Sequence, residues 1–199
     1  MNTGESKEKL PEVRRMIDDD VSFVVNVWNK TKINFESEDD LVNEKNRESG
    51  FFVREFSDME LKTIIDLAES ICLIRRLGNK VEGFLIATSL NAWLNLHPDW
   101  EKMATYKKEE VDPDKTMWVY SIFSDHSNPR LAITLHKKLK ESAVAKGFTY
   151  ELGQILETPV ENIRSERFHE ALGFSKVGTR KDSYEGQELV WGVYGRRIT

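Results

Sequence analysis

The stretch that most narrows what this chain can fold into is 71–89, ICLIRRLGNKVEGFLIATS: two runs rich in aliphatic and β-branched residues, separated by Gly78-Asn79. Two such runs across so tight a turn predict an antiparallel hairpin with strands at 71–77 and 81–89. Just before it, Ser57 and Glu60 stand in the S-x-x-E spacing, in which the serine and glutamate each satisfy the other's backbone N–H at a helix start. Met59, Leu61, Ile64, Ile65, Leu67 and Ala68 follow at helical spacing and predict a helix over 57–69.

The rest of the chain continues this alternation. EVRRM reads as a short first strand, and DDDVSFVVNVWNKTK as a helix with acids in its first turn and lysines in its last, the order the helix dipole favours. Residues 34–50 are polar and read as a surface loop or a loose helix. Residues 90–115 are too long for an ordinary connection and fit an insertion. Pro98, Asp99 and Glu101 are suited to start a helix in it, with Trp100 and Met103 on one side. Two readings of that insertion stay open: a helix packed on the core by Trp93 and Trp100, or a lid over a binding site. TMWVYSIF is a strand, residues 131–146 a helix with Leu131, Leu135, Leu139 and Ala143 every fourth residue, and Gly147 its stop. FTYELGQIL is a strand, VENIRSERFHEALGF a helix stopped by Gly173, and 175–197 a closing hairpin around Glu185-Gly186. The sum is a mixed α/β domain.

At 199 residues the chain reads as a frayed tail over 1–10 and one domain over 11–199, with the insertion at about 90–115. A net charge of −5 argues against nucleic acid as a partner. The single cysteine, Cys72, lies in a strand pattern, reads as core and suits a reducing cytoplasm. No apolar run approaches the roughly 18 residues a membrane span needs, and MNTGESKEKLPEV lacks the apolar segment of a signal peptide. A cytoplasmic protein without membrane contact is expected.

The stretch NIRSERFHEALGFSKVG resembles the C-terminal motif of the GCN5-related N-acetyltransferases (GNAT), N-x-x-S-x-x-[FL]-[YH]-x-x-L-G-F, at Asn162, Ser165, Phe168, His169, Leu172, Gly173 and Phe174. The order of elements agrees over about residues 12 to 195. The resemblance implies a mixed, mostly antiparallel central sheet of about seven strands flanked by about four helices, with a helical insertion between the third and fourth strands. It implies transfer of an acetyl group from acetyl-CoA, without a metal, to a primary amine of a small molecule or peptide by direct attack. It also implies pairing into a homodimer through edge strands.

The resemblance carries roles onto particular residues. A backbone N–H near Ile122 or Phe123 would polarise the thioester carbonyl. The pyrophosphate motif [RQ]-x-x-G-x-[GA] falls on SNPRLA, where only Ala132 fits; Ser127 replaces the basic or amide residue, Arg130 the first glycine, and Pro129 has no N–H to give. The amides of Asn128, Arg130, Leu131 and Ala132, with the Arg130 guanidinium, would have to hold the phosphates instead. Asn162, Ser165 and Phe168 would flank the cofactor arm, with Asn162 also suited to cap the helix. His169 would protonate the departing thiolate as imidazolium, or relay a proton as neutral imidazole. For a general base the candidates are Glu151, Glu157, Asp125, His126 and Tyr120, none singled out. The alternative to an enzyme is a non-catalytic chain of this fold that binds acyl-CoA or a partner as a sensor or interaction module.

Overall fold

A computed structural model describes residues 12–37, 44–108, 111–125, 127–128 and 130–199. The expected tail at 1–10 lies outside the described residues, as do His126 and Pro129. Eight strands form one sheet in the order β1-β2-β3-β5-β6-β8-β7-β4. The strands are β1 (Arg14–Arg15), β2 (Ile71–Leu77), β3 (Lys80–Ser89), β4 (Ala104–Tyr106), β5 (Thr116–Ser124), β6 (Tyr150–Thr158), β7 (Ser175–Tyr184) and β8 (Gln187–Arg197). All neighbours run antiparallel except β5 and β6, which are parallel. This is the expected mixed, mostly antiparallel sheet; the eighth strand is β4, which the insertion contributes.

The helices among the described residues are α1 (Val21–Lys30), α2 (Glu44–Ser49), α3 (Asp58–Ile65), α4 (Leu90–Leu96), α5 (Trp100–Met103), α6 (Arg130–Ala145) and α7 (Ile163–Ala171). Ser57 caps α3 as its spacing predicts: its hydroxyl accepts from Glu60 N at 3.2 Å and Glu60 returns a bond to Ser57 N at 2.8 Å. The helix stops at Ile65, four residues short of the expected end, because beyond Asp66 the backbone closes into i→i−3 turns, Leu67 N–H to Ile64 O at 3.2 Å and Ser70 N–H to Leu67 O at 3.1 Å. α7 ends at Gly173, whose φ of 84° lies where a side chain would be strained.

Burial follows the helix stripes. α1 and α3 pack Val24, Trp28, Leu61 and Ile64 on one face of the sheet against Ile74, Phe84 and Ile86. α6 packs Leu131, Leu135, Leu139 and Ala143 on the other, against Leu73, Leu85, Met117 and Val119. The insertion forms its own cluster, with Trp93 and Trp100 buried against Trp118 of β5. Cys72 is buried, and desolvation pushes its thiol up to about 12. No helix among the described residues is long and apolar enough to cross a membrane.

Candidate active site

The sheet forks in its middle. β5 and β6 pair from Thr116↔Tyr150 through Val119↔Gly153, and there the pairing stops. Beyond that point β5 pairs with β3 alone and β6 with β8 alone. The divergence has a local cause: Ile86 pairs with Ser121 and Ala87 with Val119, so Tyr120 is an extra residue that bends β5 away. Among the described residues, Ser121 to Ser124 therefore present one backbone edge to no strand. A cavity of about 710 Å³ runs through the fork.

α7 brings the motif to one end of this cavity. Asn162, Ser165, Phe168 and His169 line it together with Ile122, Phe123 and Ala132. Asn162 ties three segments: its Oδ1 accepts from Ser165 N at 3.2 Å, its Nδ2 donates to Phe51 O at 3.2 Å, and its own N–H donates to Leu156 O at 3.0 Å. His169 is buried. Its Nδ1 lies 2.7 Å from Ser165 O, which can only accept, so the ring proton sits on Nδ1. Nε2 is then the unprotonated nitrogen and points towards Gly153, where a Cβ would lie 3.9 Å from it. Burial, which outweighs the Ser165 bond, pushes the imidazole down to about 4. Of the two roles expected of His169, the imidazolium acid is thus not the form present at neutral pH.

The turn before α6 differs from the expectation. Asn128 N–H donates to Asp125 O at 2.9 Å and Leu131 N–H to Asn128 O at 3.0 Å, so two of the four amides expected to hold phosphate are already used within the turn. The Leu131 side chain is in the core, and Asn128, Arg130 and Leu131 do not line the cavity. Arg164, which sequence reasoning passed over, does line it. Its guanidinium donates to Ser49 O at 2.9 Å and lies 3.4 Å from Ser124 O at the end of β5, and desolvation lowers its pKa.

The other end is walled by aromatic and charged side chains from the insertion, residues 51–54 and β7. Trp93 and Trp100 line it while buried in the core cluster, so the helix packed on the core is also a wall of the cavity. His97, the residue after α4, lies against Trp93 with ring centroids 3.7 Å apart and planes tilted by 37°. Desolvation first, then the positive charges of Arg180 and Arg54, lower its pKa, so it is neutral at pH 7. Arg54 and Arg180 both bond Asp182, and Arg180 and Trp100 Nε1 each donate to Gln154 Oε1 at 3.0 Å.

The candidate bases mostly fall elsewhere. Glu151 is fully buried; burial alone would raise its pKa, but His136 at 3.1 Å and Arg196 at 2.7 Å hold it below the usual carboxylate range. Glu157 bonds Lys176 at 2.7 Å and Asp125 bonds Lys80 at 2.9 Å, and neither lines the cavity. Tyr120 does line it, but burial pushes its phenol above the ordinary range. His97, Arg54, Arg180 and Asp182 escaped sequence reasoning because nothing local marks them. The one available signal was the R-x-D spacing at 180–182, which puts two opposite charges on the same face of a strand.

No family model and no curated protein sequence matches the chain. Solved structures do. An N-acetyltransferase from Staphylococcus aureus Mu50 is 16% identical, with a TM-score of 0.62 over 94% of this chain and 98% of that one. An acetyltransferase of the GNAT family from Streptococcus pneumoniae is 16% identical, with a TM-score of 0.58 over 94% and 99%. A candidate acetyltransferase from Salmonella typhimurium, determined with its cofactor acetyl-CoA, is 13% identical, with a TM-score of 0.62 over 95% and 94%. The chain has the fold of these acetyltransferases.

Proposed function

We propose that this protein is an N-acetyltransferase of the GNAT type, working in the cytoplasm on a primary amine. The observation that carries the reading is the fork: a sheet opened at Val119 and Gly153, with a cavity through it and the N-x-x-S-x-x-F-H helix along one side. An extended arm bearing amides is the chemical partner that an unpaired strand edge calls for, and the pantetheine of CoA is such an arm. The cavity-lining positive charge next to the β5 end is Arg164, which takes the place of the turn amides that Asn128 and Leu131 have used.

Acetyl-CoA, when bound, supplies a thioester whose C–S bond is exchanged for a C–N bond to the acceptor. The chain's own groups do the rest. A fork-facing N–H of Ile122 or Phe123 stabilises charge developing on the carbonyl oxygen. His97, neutral and at the acceptor end, takes the proton that the ammonium must lose before its nitrogen can attack. His169 presents its unprotonated Nε2 at the fork as a hydrogen-bond acceptor, and the departing thiolate takes its proton from water. Asn162 holds the start of α7, and so His169, in place.

One observation favours a second reading, a chain that binds acyl-CoA without turning it over: two turn amides are spent on the turn itself. Calorimetric titration with acetyl-CoA, CoA and dephospho-CoA, followed by thiol release with an amine panel, separates the two. Micromolar binding with turnover is expected. Binding without turnover for any amine supports the second reading, and no binding at millimolar acetyl-CoA sinks both.

A further inference from the structure

The acceptor end of the cavity holds two guanidiniums that share one carboxylate. Arg54 and Arg180 converge on one carboxylate, Asp182, whose second oxygen already accepts from Ser183 N at 2.6 Å. Arg180 is buried to 6% exposure, and its Nε has no acceptor among the described residues. Neither have the buried Nε1 groups of Trp93 and Trp191, which line the same cavity. Gln154 Oε1 is no help, since Trp100 and Arg180 already share it.

Among the described residues, none of the remaining carboxylates on the cavity wall is hydrogen-bonded to either guanidinium. Glu55 is exposed and paired with Lys32 at 3.3 Å, Asp99 is exposed and paired with Lys102 at 2.8 Å, and Glu60 bonds the Ser57 hydroxyl and N–H. Arg164, the third guanidinium, lies at the opposite end beside Ser124. What is left is two guanidiniums bonded to one carboxylate, with Arg54 half exposed on the cavity wall. A planar guanidinium matches a carboxylate in geometry, and Arg54, bonded to Asp182 through Nη2 alone, has its exposed side open to a second one.

We propose that Arg54 and Arg180 form a carboxylate site, and that the acceptor is a small amine carrying its own carboxylate, of the amino-acid class. The carboxylate seats on the arginines while the amine is turned towards His97. The acceptor assignment rests on the acyl-transfer reading; the anion site stands without it.

The test uses L-phenylalanine, L-phenylalaninamide and phenethylamine, with glycine and glycinamide as a smaller pair. Binding to the full chain is measured by calorimetry with and without CoA, and turnover is compared per neutral amine. The expected result is a preference of at least tenfold for the carboxylate over its carboxamide, falling towards one in Arg54→Gln and Arg180→Gln and partly kept in Arg180→Lys. Arg54 is half exposed, so Arg54→Gln serves if Arg180→Gln does not fold. Equal binding of carboxylate and carboxamide by the unaltered chain, no binding of either amino acid, or a preference untouched by Arg54→Gln overturns the proposal. A carboxylate preference in a chain that ignores acetyl-CoA keeps the anion site and removes the acyl-transfer reading.

Discussion

The two ends of the cavity are built by opposite means. The fork end is made of backbone: a bulge at Tyr120, a missing side chain at Gly153 and the amide-capped start of α7. The acceptor end is made of side chains gathered from residues 51–54, the insertion and β7. Backbone geometry serves a ligand that is the same in every turnover, while side chains can be exchanged without touching the frame. On the acyl-transfer reading proposed above, the fork would take the constant half of the reaction and the other end the selective half.

That division can be broken first at Trp118, fully buried between Trp93 and Trp100. If the acceptor wall is part of the core rather than a detachable lid, Trp118→Ala should cost about 3–5 kcal/mol in a single unfolding transition. A separate early transition confined to the insertion would make it a lid after all.

The next effect belongs to the fork. His169 titrates near 6.5 in the unfolded chain and at about 4 when folded, so the unfolded state binds more protons between those values. The stability this gives is complete above pH 6.5 and is lost as pH falls towards 4, about 3 kcal/mol in all. His169→Asn should flatten that part of the profile in urea unfolding at pH 6.5 and 4.5; an unchanged slope would mean that the ring is not buried neutral.

At the acceptor end a histidine should report catalysis instead. His97→Gln should lower turnover by about a hundredfold, roughly 2.7 kcal/mol, with acetyl-CoA affinity kept. In the unaltered chain, turnover should rise with pH through a value below 6.5 and then level off, because the His97 pKa is lowered. Loss of CoA binding in the variant would merge the two ends. The smallest effect expected is at Arg130, outside the cavity: Arg130→Ala should change acetyl-CoA affinity by no more than about twofold, whereas Arg164→Ala should change it by about tenfold.

The same contrast explains what could be read from sequence. The hairpin, α6 and α7 follow from local spacing, since each buries a stripe that its own sequence repeats. The motif on α7 placed His169, Ser165 and Phe168 at the cavity from one contiguous segment. The other end is gathered from segments far apart in the chain, as Arg54 and Asp182 are at 128 residues, and no periodicity links them. The protonation of His169 was equally hidden, because it depends on burial and on the Ser165 carbonyl. β4 was missed because three residues following a single helical turn give too short an alternation to recognise, and its pairing partner comes some seventy residues later.

β4 itself has a further consequence. It lies along β7 at the sheet margin, and a Cβ at Gly178 would collide with the Thr105 carbonyl, so the two strands fit only as they stand. The segment that supplies Trp93, His97 and Trp100 to the acceptor wall therefore also shields β7 from pairing with another molecule. Selectivity and solubility are tied to one piece of chain. Variants that reshape the wall by lengthening or deleting it should be recovered less often as soluble protein than variants that change the arginines, and substrate choice in proteins with this insertion should drift through β7 and residues 51–54 first.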